Sequence, residues 1–243
     1  MLEILTFSDY LIENPLLTLT LLAHFLADFQ WQSQRMADQK SYSIRVLLQH
    51  LIIVALPLLV CLVLNPAAGI YLLVVWLSHV VIDSAKFYFV PNMHSQSGQQ
   101  VIFVGDQILH YLAIFSAYIC FKPDTILLIS QNSELIRLGL FLTLITKPIN
   151  IVFKLFFSKY QVSEEPHEPT VAGAGALIGL LERLIMGIFL LFGQFAAIGL
   201  VFTAKSIARY DRISKNQAFA EYYLIGSLFS IISVLLVYGI LLV

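Results

Sequence analysis

Seven mostly apolar stretches divide this chain, at residues 15–32, 44–64, 67–90, 98–121, 135–157, 171–209 and 218–243. A helix needs about 20 such residues to cross the hydrocarbon core of a bilayer. The sixth stretch is too long for one crossing at about 1.5 Å of rise per residue. Gly193-Gln194 near its middle marks a hairpin of two spans or a re-entrant pair. The expected fold class is all-α: a polytopic transmembrane helix bundle of about eight spans, or seven if 171–209 is one long or re-entrant element. Composition agrees, with 59% hydrophobic and 12% charged residues against about 45–50% and 25% in soluble domains. A soluble chain this apolar would lack the polar surface to cover its core.

Breaks between the stretches fall at Pro91-Asn92, at Lys147-Pro148 and in the polar loop Ser163 to Thr170. Lys and Arg collect in cytoplasmic loops. Arg35, Lys40 and Arg45 flank the first loop, Lys86 the third, Lys154 and Lys159 the fifth, and Lys205, Arg209, Arg212 and Lys215 the seventh. Odd loops are therefore expected inside and both termini outside, in a cytoplasmic membrane. Met1 to Asn14 carries Glu3, Asp9 and Glu13 but no Lys or Arg, so no cleavable signal peptide is expected. Cys61 and Cys120 lie inside apolar runs and read as buried free thiols. A net charge of −1 offers no basic face for nucleic acid. The division of the bundle is expected at 122/123, with 1–122 as a four-helix half and 123–243 as a second helical half of the same membrane domain.

The first half carries the chemistry. His24 and Asp28, His79 and Asp83, and Asp106 and His110 are each four apart, and a further apolar run holds His50. Residues at i and i+4 share a helix face, so each pair aims an imidazole and a carboxylate the same way. Such groups in hydrocarbon cost several kcal/mol unless they pair, meet water or bind a cation. Under the Lys/Arg orientation all of these residues fall at similar depth, in the cytoplasmic half of the bilayer. Nitrogen and carboxylate oxygen suit a divalent metal, with Zn²⁺ first and Mn²⁺ or Fe²⁺ as alternatives. Three or four of the seven residues would hold one ion. The others would orient the rings or hold a second ion about 3.5–4 Å away. The competing reading is a hydrogen-bonded network that locks helix packing.

Polar neighbours extend the set. Gln30, Gln32 and Gln34 follow Asp28, and Gln107 follows Asp106. Lys86, three residues beyond Asp83, reads as a snorkelling interface residue or as a holder for an anionic group at the cytoplasmic mouth. A second cluster comprises Glu182, Arg183, Lys205, Arg209 and Glu221. Its alternatives are salt bridges from Glu182 or Glu221 to Lys205, with Glu182 also a local partner for Arg183, and a lipid-phosphate site. Gly175 and Gly179 form a small-residue spacing that favours close helix packing. No G-x-S-x-G elbow, Walker A, dinucleotide fingerprint or H-E-x-x-H occurs.

The run His24-Phe-Leu-Ala-Asp28-Phe-Gln30, with His79-x-x-x-Asp83 and Asp106-Gln107-x-x-His110, resembles a domain-of-unknown-function family of bacterial integral membrane proteins. Leu181-Glu182-Arg183-Leu184, Ala204-Lys205-Ser206-Ile207 and Phe219-Ala220-Glu221-Tyr222 are similar to its long form. The pattern is distantly similar to that of predicted membrane-bound metal-dependent hydrolases, an analogy one step further removed. The first functional expectation is a metal-dependent hydrolase at the cytoplasmic leaflet, acting on a lipid-linked or anionic substrate. His24, His79 and His110 are its expected metal ligands with one or more of Asp28, Asp83 and Asp106. Asp28, Asp106 and Lys86 are its expected catalytic groups. A divalent-cation or proton transporter, a b-type haem protein and a structural membrane protein are the alternatives.

Overall fold

The computed structural model describes residues 6–89, 95–161 and 173–243. Pro91-Asn92, the loop Ser163 to Thr170 and Glu3 lie outside the described residues. Two compact units form, Met1–Thr143 and Leu144–Val243.

In the first unit, Thr6 and Asp9 cap each other's backbone to start α1, Phe7–Glu13. Pro15 opens α2, Pro15–Phe25, where its missing N–H costs nothing. The two helices meet at 103°. The α2 helix continues as a π-helix over Leu26–Trp31. The Ser33 hydroxyl caps the short α3, Gln34–Gln39. Three long helices follow: α4 (Ile44–Leu64), α5 (Gly69–Phe89) and α6 (Gln96–Phe121). They pack in sequence, and α2 lies against α4 and α6. The α7 helix (Leu127–Gln131) and α8 (Ser133–Leu144) complete the unit.

In the second unit, α9 (Lys147–Phe157) precedes α10 (Ala174–Leu191), α11 (Phe195–Ala208), α12 (Tyr210–Lys215) and α13 (Gln217–Leu241). Gly193 follows α10 with φ +68°, a left-handed backbone that a Cβ would strain. The amides of Gly193 and Gln194 donate back to Leu190 and Phe189, closing the helix end. The chain then folds back as the hairpin expectation required. Lys205 Nζ reaches Glu182 Oε2 at 2.8 Å, whereas a straight helix would separate the two residues by about 34 Å.

Among the described residues, six helical segments are long and apolar enough to cross a membrane, seven if the bent pair of α1 and α2 is one span. The α11 helix has 14 residues, short of the length a crossing needs. The all-α membrane bundle stands, with six to seven such helices among the described residues where about eight spans were expected. Large apolar side chains such as Val63, Phe89 and Val101 are exposed, as an outer surface bathed by lipid requires. Cys61 is buried, but Cys120 is exposed. That corrects the expectation for Cys120: apolar residues in a bundle helix pack inward on one face only, and the opposite face is open.

Candidate metal centre

All seven candidate ligands belong to the first unit, and none is more than 8% exposed. Five elements deliver them. His24 comes from α2, Asp28 from the π-helix, His50 from α4, His79 and Asp83 from α5, and Asp106 and His110 from α6. A π-helix is rare and concentrates at functional sites. Here its wider turn carries Asp28 inward.

Four of the seven converge on one point. His50 Nε2 lies 2.9 Å from Asp83 Oδ2 and 3.5 Å from Asp28 Oδ1. His79 Nε2 lies 3.3 Å from each of the same two oxygens. The two Nε2 atoms are 3.4 Å apart. Ligands about 2.0–2.1 Å from a zinc ion in a regular tetrahedron sit about 3.3–3.4 Å from one another. The five edges that include a histidine nitrogen, 2.9 to 3.5 Å, fall around that value, so these residues suit a divalent ion with imidazole and carboxylate donors.

The remaining three flank this point. His24 Nε2 is 4.0 Å from Asp28 Oδ2 and 3.4 Å from Gln107 Oε1, which also accepts from Tyr111. The His24 Nδ1 atom is buried with no hydrogen-bond partner. The His24, His79 and His110 rings pack with centroids 4.1 to 5.6 Å apart. They line a cavity of about 10 Å³ with Thr20, Ser78 and Ile114, room for roughly one water. The expected ligand trio of His24, His79 and His110 therefore shares a cavity, while the tight set uses His50 and His79.

Two lysines balance the carboxylates. Lys86 Nζ is 3.0 Å from Asp106 Oδ2. Lys40 is buried, 3.2 Å from Asp83 Oδ1 and 3.1 Å from His50 Nε2. Burial alone would lower its pKa, but the charges of Asp83, Asp28 and Asp106 outweigh that and raise it. Sequence reasoning counted Lys40 as a loop cation. Nothing in the composition of that short connection between two spans singled it out.

Other expected site residues sit elsewhere. The Gln30 amide donates to the Thr143 carbonyl at 3.1 Å, so it is tied to backbone. Gln34 donates to Asp38 on α3. In the second unit the expected cluster divides: Glu182 takes Lys205, and Glu221 accepts from Gln217. Arg183, expected beside Glu182, instead donates to the Ile145 and Thr146 carbonyls, Asn150 Oδ1 and Ser230 Oγ. It fills the helix break at residues 145 and 146, between α8 and α9, and donates to both of their carbonyls. Gly179 makes room for it, since a Cβ there would meet Arg183 Nη1 at 3.2 Å.

A membrane-length helical bundle with a buried His/Asp cluster able to hold a divalent ion is the class that the fold and site define. Residues 16–137 match the model of the family described as "Protein of unknown function (DUF3307)". The chain belongs to that family. No curated protein and no solved structure matches it.

Proposed function

We propose that this chain is an intramembrane metal-dependent hydrolase of a bacterial cytoplasmic membrane, acting near the cytoplasmic leaflet on an anionic, lipid-linked substrate. The approach of Asp28 Oδ1 and Asp83 Oδ2 to His50 Nε2 and His79 Nε2, at 2.9 to 3.5 Å, carries the reading. A divalent ion held by three of these donors would keep its fourth position for a water, whose pKa it would lower, and would polarise the scissile group. His24 then suits the general base. Its Nε2 faces the Gln107 oxygen, which leaves Nδ1 free to take a proton, and it lines the cavity. Water loses a proton to His24 as its oxygen bonds to the substrate's phosphorus or carbonyl carbon. The bond to the leaving oxygen breaks, and that oxygen takes the proton from His24. Lys86 is the more open of the two lysines and meets the substrate's anionic group at the edge of the site. The haem alternative loses support, because the imidazoles pack directly on one another around a space far smaller than a porphyrin.

Protein purified in mild detergent should carry at least one Zn, Mn or Fe per chain, show no Soret band and lose thermal stability on chelation. It should hydrolyse p-nitrophenyl phosphate in a chelator-sensitive way, and His79→Ala should abolish this. Absence of metal after loading would sink the centre. Metal uptake into proteoliposomes without hydrolysis would replace the enzyme by a transporter.

A further inference from the structure

The set of Asp28, His50, His79 and Asp83 leaves Asp106 and His110 unused, yet both are buried and partly unpartnered. His110 Nδ1 lies 2.7 Å from the Asp106 backbone carbonyl. A carbonyl only accepts, so Nδ1 carries the proton and Nε2 keeps an open lone pair. This Nε2 is buried without a hydrogen-bond partner, and so is Asp106 Oδ1. The other Asp106 oxygen is held by Lys86. Leaving two acceptors buried and unpaired carries a desolvation penalty for each.

This arrangement is how proteins prepare a metal ligand: one ring nitrogen donates to a backbone carbonyl and thereby fixes the other for the ion. Asp83, Asp106 and His110 each offer one ligand atom, all within 4.8 Å of one another. Asp83 also belongs to the first set. We infer that Asp106 and His110, with Asp83 shared, hold a second divalent cation beside the first, making the centre binuclear. The inference rests on the metal reading proposed above and adds to it. A carboxylate has two oxygens and can serve two ions about 3.5–4 Å apart, and Asp83 Oδ1 keeps a lone pair beside the one that takes Lys40. Two carboxylates and one imidazole form a harder donor set than the first site's two of each, suited to Mn²⁺ or Fe²⁺ as well as Zn²⁺.

The second ion also defines the substrate class. Asp28, Asp83 and Asp106 carry three negative charges and Lys40 and Lys86 two positive, a balance of −1 with neutral imidazoles. One divalent ion brings that to +1 and two to +3, a surplus that a phosphate ester offsets and a neutral ester does not.

The test counts ions. Zn²⁺-loaded, desalted protein in detergent is analysed for metal per chain, and Mn²⁺-loaded protein is examined by electron paramagnetic resonance. Two ions per chain and a spin-coupled Mn²⁺ spectrum are expected. Folded His110→Ala and Asp106→Asn should each retain one ion and show the six-line signal of isolated Mn²⁺. One ion in the wild type, unchanged in both variants, would overturn the second site and leave the first standing. No ion in the wild type would overturn both. Two ions in both variants would overturn the assignment of these ligands. The Asp106→Asn variant keeps the side-chain volume, so failure of His110→Ala to fold leaves the test intact.

Discussion

Replacing Asp83 with alanine should remove the bound metal and lower stability by about 3–5 kcal/mol, the cost of stranding a buried charge. Asp83 contacts His50, His79 and Lys40 at 2.9 to 3.3 Å, so its loss leaves the Lys40 ammonium in an apolar setting without its carboxylate. The two effects separate in the double variant. Adding Lys40→Met to Asp83→Ala should recover part of the stability and none of the metal. Unfolding in detergent, with and without chelator, reads stability, and elemental analysis reads occupancy. If Asp83→Ala kept wild-type metal content and wild-type chelator sensitivity, the carboxylate would have no part in the centre.

Arg183→Ala should cost about 1–3 kcal/mol, because it strands the buried Ile145 carbonyl and takes one donor each from the part-buried Thr146 carbonyl and Asn150 Oδ1. A lysine carries fewer donors, without the planar fork that spans separate acceptors, so Arg183→Lys should fall between. Gly179→Ala should destabilise in the same direction by crowding the guanidinium. Equilibrium unfolding of detergent-solubilised protein measures all three. A loss under about 0.5 kcal/mol in Arg183→Ala, the range of ordinary surface changes, would mean that the helix break holds without this side chain.

The sequence made the His/Asp set legible because its information is periodic. An imidazole and a carboxylate four apart in an apolar run share a face whatever the neighbouring helices do, and three such pairs with His50 now meet in one unit. The hairpin at Gly193 was legible for a similar reason, since length and one glycine state it locally. Lys40 was not legible. Its neighbours Gln39 and Ser41 read as a solvated connection, and only the tertiary path of α3 brings the ammonium onto Asp83. Arg183 was visible as an oddity in an apolar run, but its partners were not. Lys147-Pro148 hinted at the break, while the carbonyls that the break exposes lie 37 and 38 residues away along the chain. The π-helix at Leu26–Trp31 has no compositional signature. Which ligands draw together was therefore decided by packing: His50 has no partner on its own helix, and it sits at the heart of the tight set.

Asp83 finds its partners within Met1–Thr143, and Arg183 finds its own within Leu144–Val243. Residues that share no partner behave as independent terms in folding energetics. The losses in Asp83→Ala and Arg183→Ala should therefore sum in the double variant, to within about 0.5 kcal/mol. The family match, residues 16–137, falls wholly inside the unit with the ligands. On the proposed metal reading, a lesion at Arg183 in the C-terminal helices should weaken the protein while leaving any metal-binding constant of the first unit unchanged.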